Sequence, residues 1–129
     1  MISFALYPGA YQPSGHINVS RATEFYIKYH LYYISDFFVF IGPGDFELYL
    51  WDDRQSSSTY ESFSKEVVGE SNPVSVLVPP GVVHGYKAIT PSGSFSINLP
   101  DKLYAGRDKK EKIDEIRHEN ISTSKFIID

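Results

Sequence analysis

The sequence contains no cysteine among its 129 residues. This absence excludes thiolate nucleophiles, Cys-x-x-Cys redox chemistry, zinc–thiolate sites and a scaffold held together by disulfides. Positive charge is also sparse, because 12 Lys and Arg stand against 16 Asp and Glu, which gives a formal net charge of −4 and a pI near 5.5. Nucleic acid is therefore not an expected partner, since its phosphates are bound by clustered basic side chains.

Long apolar segments are missing as well. No apolar run approaches the roughly 20 residues that a membrane-spanning helix needs, so no membrane partner is expected. The opening segment has no basic cluster and is interrupted by Pro8, Gly9 and Pro13, so we expect no signal peptide. A chain of this length buries about two-thirds of its unfolded surface in a core of its own. We therefore expect one cytoplasmic domain over residues 1–129.

Aromatic residues are abundant, at 16% of the chain, and they are concentrated between Phe25 and Trp51. Short aromatic and β-branched segments separated by Gly and Pro turns are typical of antiparallel sandwiches and barrels. The predicted strands are Phe25–Ser35, Phe37–Gly42, Asp45–Asp52, Val74–Val78, Gly85–Ile89 and Ser94–Leu99. Alternation is clearest in Asp45–Asp52, where Phe46, Leu48 and Leu50 share one face. The pattern predicts an all-β fold.

Two stretches differ from the rest. Residues 54–64 are polar and rich in serine, which predicts a long hairpin loop or a strand edge. From Gly106 onward the chain is highly charged, with Ile113 and Ile116 as apolar anchors at a spacing typical of one helical turn. This second stretch is predicted to be a tail that wraps the domain.

The most specific segment is Val78–Lys87, with the sequence VPPGVVHGYK. It resembles the second conserved motif of the cupin superfamily, Pro-x-Gly-x-x-His, and more narrowly the dTDP-4-dehydrorhamnose 3,5-epimerase branch and its short relatives. The upstream stretches GDFELYLWDDR and SSTY and the downstream stretch NLPDKLY are similar to the same branch. The resemblance spans residues 36–104. It implies a single cupin-type jelly roll with its core at about residues 25–104 and a short charged C-terminal tail.

The resemblance implies an epimerase or isomerase of a nucleotide-linked (dTDP) 4-keto-6-deoxy sugar that needs no cofactor. Enzymes of this branch exchange protons next to the sugar ketone, using a histidine base oriented by an aspartate and a tyrosine acid. Here the candidates are His30 as base and Tyr32 or Tyr86 as proton donor. The branch's Arg-Gly-x-His segment is absent, and Ile97 stands where the branch has its tyrosine.

Four residues are candidates for substrate binding. His84 matches the histidine of the Pro-Pro-Gly-x-x-His-Gly segment, which lines the pocket in this branch without acting as the base. Arg54 and Lys87, each beside a predicted strand end, are candidates for phosphate binding, and Tyr104 lies in a loop like that of the branch. A homodimer is expected, because small cupins commonly pair and the long aromatic strands would otherwise be exposed.

Two alternatives remain open. The first is a cupin that kept its pocket but lost its chemistry, and that binds a carbohydrate or another small molecule between aromatic rings. The second is a metal-dependent cupin enzyme with His30, Asp36 and His84 as ligands, since a divalent metal needs three or four nitrogen or oxygen ligands.

Overall fold

The structure, a computed structural model, describes residues 18–22, 25–29 and 34–129. Regular structure in these ranges consists of strands and one 3-10 helix, His118–Asn120. The strands are β1 (Asn18–Ala22), β2 (Phe25–Tyr29), β3 (Asp36–Phe40), β4 (Asp45–Asp52), β5 (Phe63–Gly69), β6 (Val74–Val78), β7 (Val82–Ala88), β8 (Ser94–Asn98) and β9 (Ile116–Arg117). The all-β prediction is confirmed. No helix in these ranges has the length and apolar character needed to cross a membrane.

The strands form two antiparallel sheets. One has four strands in the order β1-β8-β3-β6, and the other has five in the order β5-β4-β7-β2-β9. Neighbours in the sheets are often far apart in sequence, as expected for a sandwich of the jelly-roll type. In the five-stranded sheet, β7 lies between β4 and β2, with Leu50 opposite His84.

The core lies between the two sheets and follows from the two-residue period of the strands. Phe46, Leu48 and Leu50 of β4 point inward and are buried, as the alternation predicts. They meet the inward residues of β3, Phe38 and Phe40, which are at most 1% exposed. The remaining buried members of this core are Val68, Val78, Val82 and Tyr86.

Strand β8 has the opposite pattern, because its small polar residues face inward. Ser94 and Ser96 are buried, whereas Phe95 and Ile97 are partly exposed. Asn98 pairs with Phe38 of β3, so it shares the inward face. The inward face of β8 therefore supplies hydrogen-bonding groups on one side of the interior.

The C-terminal segment covers the outer face of the five-stranded sheet. Phe126 packs against Val83 and Trp51, and Ile128 joins this second cluster. The Tyr49 hydroxyl lies 3.0 Å from Asp129 Oδ1. Both faces of the sheet centre are thus covered, and Tyr49 is only 1% exposed although it points away from the core.

Several strand limits differ from the predicted ones. Strands Asp45–Asp52 and Val74–Val78 match their predictions, whereas β7 begins at Val82, three residues earlier than predicted. The predicted strand Phe25–Ser35 was too long, because β2 ends at Tyr29 and residues 34 and 35 are not in a strand. The predicted loop at 54–64 is a hairpin connection, but β5 already begins at Phe63. Strands β1, β5 and β9 were not predicted.

Candidate functional site

A tight turn places His84 at the start of β7. Gly81 has a φ of +84°, and a Cβ atom there would lie 2.5 Å from Arg54 Cγ, so the turn requires glycine. The Val82 N–H donates to the Pro79 carbonyl across the turn, at 3.3 Å. Two residues further on, His84 points inward and is 1% exposed. The motif Pro-Pro-Gly-x-x-His thus delivers an imidazole into the interior.

The His84 imidazole faces a buried carboxylate from the other sheet. His84 Nε2 lies 3.1 Å from Asp36 Oδ2, and both side chains are almost fully buried. Asn98 Nδ2 donates to Asp36 Oδ1 at 2.7 Å. Asp36 itself follows Ser35, whose N–H donates to Asp101 Oδ1 at 2.9 Å. Residues from β3, β7 and β8 thus form one polar cluster inside the sandwich.

The protons of this cluster follow from its acceptors. His84 Nδ1 lies 3.1 Å from the Val82 carbonyl oxygen, which can only accept, so Nδ1 carries a proton. On the other side of the ring, Nε2 lies 3.1 Å from Asp36 Oδ2. Both ring nitrogens therefore face acceptor oxygens of the protein. A substrate can therefore reach a ring nitrogen only by displacing one of these oxygens.

Tyr86, a predicted proton donor, lies on the same inward face of β7 as His84. Its ring is enclosed by Phe38, Phe40 and Phe46, with ring centroids 5.2–5.7 Å apart in edge-on geometry. Phe38 also contacts the His84 ring edge-on, at 5.4 Å between centroids. The aromatic core therefore fixes the Tyr86 ring next to the polar cluster.

Arg54 belongs to a different cluster, at the end of β4. Its Nε and Nη2 donate to the two carboxylate oxygens of buried Asp52, at 2.8 and 2.7 Å. Thr59 and Ser57 also donate to Asp52 Oδ2, at 2.6 and 2.9 Å. Burial raises the pKa of Asp52, but these hydrogen bonds outweigh burial and hold the pKa well below its ordinary value. The contacts of Arg54 tie the 54–62 loop to the sheet.

The other two predicted substrate-binding residues also lie away from His84. Lys87 lies three positions after His84, on the outer face of β7, and its Nζ donates to the main-chain oxygen of Asp129 at 2.8 Å. Tyr104 is 54% exposed in the loop after β8. The structure therefore brings together His84, Asp36 and Tyr86 but not Arg54, Lys87 or Tyr104.

Two predicted residues, His30 and Tyr32, lie outside the described residues. Within the described ranges no group of three or more His, Asp or Glu side chains is arranged to hold a metal ion. Asp36 and His84 supply two of the three ligands predicted for a metal centre. The role of His30 in catalysis or in metal binding stays a prediction.

Solved structures with a similar fold include a dTDP sugar isomerase from Desulfovibrio desulfuricans G20, with a TM-score of 0.70 and 18% identity over 91% of this chain and 69% of that one. The chain has the fold of a dTDP-sugar epimerase. A dTDP-6-deoxy-D-glucose-3,5-epimerase from Legionella pneumophila, in complex with dTDP-4-keto-L-rhamnose, shares this epimerase fold with a TM-score of 0.67 and 15% identity, covering 85% of this chain and 56% of that one. The 3'-monoepimerase ChmJ from Streptomyces bikiniensis, in complex with dTDP, does so with a TM-score of 0.66 and 16% identity, covering 81% and 51%. The predicted cupin-type jelly roll is confirmed.

Two curated proteins of sugar-polymer biosynthesis are similar to the chain in sequence. The chain is 36% identical over 63 residues to the probable low-salt glycan biosynthesis epimerase Agl13 of Haloferax volcanii, covering 49% of this chain and 40% of that protein. It is 33% identical over 76 residues to the spore coat polysaccharide biosynthesis protein SpsL of Bacillus subtilis, covering 58% and 50%. The chain thus spans about half the length of these relatives or less. No protein-family model matches it.

A third similarity is of another kind. Over 36 residues, or 27% of the chain, the sequence is 66% identical to the hexon protein p72 of African swine fever virus (strain Badajoz 1971 Vero-adapted). This match covers 6% of the hexon protein. A segment that short does not carry the function of a capsid protein to this chain.

Sequence reasoning missed Asn98 as a site residue. The alternation in Ser94–Leu99 places Asn98 on one face with Ser94 and Ser96, which is correct. This inward position could have identified Asn98 as a candidate, because an amide directed into the interior of a sandwich needs a polar partner there. Its partner, Asp36, was predicted only as a metal ligand.

Proposed function

We propose that this protein is an epimerase or isomerase of a dTDP-linked 4-keto-6-deoxy sugar. The observation that carries the proposal is the buried contact between His84 and Asp36 inside a sandwich with the epimerase fold. A ketone acidifies the hydrogens on the carbons beside it, and a protein base can remove one of them if it titrates near neutral pH. The epimerase relative Agl13 supports the same reaction class.

His30 is proposed as the base, with Tyr32 or Tyr86 returning a proton to the opposite face of the sugar carbon. The geometry of His84 supports this division of roles, because both of its ring nitrogens already face protein acceptors. In this scheme His84 and Asp36 line the pocket and keep its polar side fixed. Arg54 and Lys87 are proposed as phosphate-binding residues, and Tyr104 as a further residue that contacts the substrate.

Solvent exchange tests the chemistry directly. The purified protein is incubated in deuterium oxide with a dTDP-4-keto-6-deoxyhexose, and deuterium at the carbons beside the ketone is followed by NMR. We expect uptake by the wild type and its loss in His30→Ala. A wild type that catalyses no exchange above the uncatalysed rate would refute the catalytic proposal.

A non-catalytic sugar-binding protein is the second candidate. The surroundings of His84 favour it, because Nδ1 lies 3.1 Å from the Val82 carbonyl oxygen and Nε2 lies 3.1 Å from Asp36 Oδ2, so a substrate must displace a protein group to reach either nitrogen. Isothermal titration with dTDP separates the candidates when it is read beside the exchange assay. Binding with exchange supports the enzyme, and binding without exchange supports the second candidate.

A homodimer is proposed as the working form. Strand β5 is an edge strand of the five-stranded sheet, and its Phe63 and Val67 are 51% and 44% exposed. Exposed apolar edge strands favour pairing with another chain. Light scattering at micromolar concentration should give twice the monomer mass of 14.6 kDa, and a monomer mass would refute the proposal.

A further inference from the structure

Among the described residues, the side-chain amide of Asn98 makes a hydrogen bond through its nitrogen but not through its oxygen. Its Nδ2 donates to Asp36 Oδ1 at 2.7 Å. Its Oδ1 is buried and has no hydrogen-bond partner within the described part of the chain. A buried acceptor without a donor is rare in proteins, because it has lost its water without gaining a partner.

The amide cannot remove this problem by turning over. A carboxylate oxygen only accepts, so the NH2 end must face Asp36 and the carbonyl end must face away from it. Asn98 is held there by the register of β8 with β3, where it lies opposite Phe38. The cluster therefore presents a fixed, buried acceptor next to the Asp36–His84 pair.

We propose that Asn98 Oδ1 accepts a hydrogen bond from a hydroxyl group of the bound sugar ring. This inference rests on the proposed function, because it assigns the missing donor to the substrate. The sugar, rather than the nucleotide, is the fitting source of the donor, since Asn98 directly contacts Asp36 in the interior where the reacting carbons are proposed to lie. Asn98 is then a residue that selects the sugar, because a sugar without that hydroxyl would leave the acceptor unmatched.

Two ligands separate a contact to the sugar from a contact to the nucleotide. Isothermal titration with dTDP and with dTDP-L-rhamnose is carried out on the wild type and on Asn98→Leu, which has a similar size and no amide. We expect dTDP-L-rhamnose binding to weaken roughly twofold to tenfold, the range that one neutral hydrogen bond contributes. Binding of dTDP should be unchanged. Ser96→Ala, two residues earlier on the same buried face, is the matched control and should alter neither affinity.

The outcomes separate this inference from the proposed function. Equal weakening of binding for both ligands would show that Asn98 has a structural role, and this result would overturn the inference but leave the proposed function intact. Unchanged binding of both ligands by Asn98→Leu would also overturn the inference alone. A wild type that binds neither ligand would overturn both. A wild type that binds dTDP-L-rhamnose no more tightly than dTDP would overturn the inference alone.

A second measurement does not depend on the folding of Asn98→Leu. The chain has four asparagines, Asn18, Asn72, Asn98 and Asn120, so selective 15N-asparagine labelling gives four side-chain amide pairs. The Asn98 pair is assigned by elimination with substitutions of the other three. We expect dTDP-L-rhamnose to shift the Asn98 pair and dTDP to leave it in place. If dTDP-L-rhamnose does not shift the side-chain amide signals of Asn98, the inference is overturned, because the sugar then makes no contact with this amide.

Discussion

His84 Nε2 lies 3.1 Å from Asp36 Oδ2, and this contact joins the two sheets through the interior. Removing one partner of a buried polar contact typically costs about 1–3 kcal/mol, because the group that remains stays desolvated without its partner. We expect Asp36→Asn and His84→Gln each to lower the free energy of unfolding by about this amount. The double variant should lose clearly less than the sum of the two single losses. Urea denaturation of the four proteins measures this coupling, and additive losses would contradict it.

Asp52 predicts an acid dependence of stability. Its hydrogen bonds with Arg54, Thr59 and Ser57 outweigh burial and lower its folded pKa below the ordinary value of 3.8. A lowered folded pKa gives stability that is complete above the unfolded pKa and is lost as the pH falls below it. We therefore expect the free energy of unfolding to decline below about pH 4 and the decline to be weaker in Asp52→Asn.

The same cluster gives a test at neutral pH. Thr59→Val removes the 2.6 Å hydrogen bond to Asp52 with little change of shape. Hydrogen bonds to charged groups contribute about 1.5–3 kcal/mol, so a loss of this size is expected in urea denaturation. Exposed Ser58→Ala, one residue away, is the control and should lose little. Equal losses in the two variants would contradict the assignment of the cluster.

The raised pKa of Tyr49 predicts that its hydroxyl ionises at a more alkaline pH than an ordinary tyrosine. Burial first, and then hydrogen bonding with Glu47 and Asp129, raise its pKa from 10.0 to about 12, although Lys65 acts in the opposite direction. A raised folded pKa gives stability that is present below the unfolded pKa and is lost as the pH rises through the folded one. Absorbance at the tyrosinate band should show a component near pH 12 that Tyr49→Phe removes. Tyr104→Phe should leave this component in place, and a Tyr49→Phe curve that still contains it would refute the assignment.

Phe126 predicts that the C-terminal segment stabilises the domain. Its ring is 9% exposed and lies 5.6 Å from the Trp51 ring, between centroids. Truncating a buried Phe to Ala usually costs about 3–5 kcal/mol, so a loss toward the lower end of this range is expected for Phe126→Ala. The adjacent Ile127 is 70% exposed, so Ile127→Ala should lose much less. Fluorescence of Trp51, the sole tryptophan, should change in Phe126→Ala alone, and equal behaviour of the two variants would contradict the prediction.

The sequence allowed the fold to be predicted where a pattern had a local cause. Alternation placed Phe46, Leu48 and Leu50 in the core, and a strand was predicted after the Pro-Pro-Gly turn, although its predicted start at Gly85 left His84 outside it. Strand β5 was missed because four of its seven residues are exposed and its apolar residues do not alternate, and it is held by pairing with β4. A two-residue strand such as β9 has too few positions to show any period.

The site was harder to predict because its contacts join distant parts of the chain. Asp36 and Asn98 are 62 positions apart, and no spacing rule brings them together. Lys87 was predicted to bind substrate from its place near a strand end. The structure places it three residues after His84 on the outer face of β7, where it contacts Asp129, and substrate binding by Lys87 stays a prediction. The position of each residue in the strand register, and the sheet face to which it points, decide whether it lies in the interior like Asn98 or on the outer face like Lys87.

The covering of the five-stranded sheet on both faces has a kinetic consequence. Amide hydrogens of β7 lie between β4 and β2, beneath the core on one side and residues such as Phe126 on the other. Such amides exchange with solvent only when the whole domain opens, whereas those of edge strand β5 exchange through local opening. Hydrogen exchange should therefore be slowest around His84, so the strand that delivers the imidazole is also among the last parts of the protein to meet water.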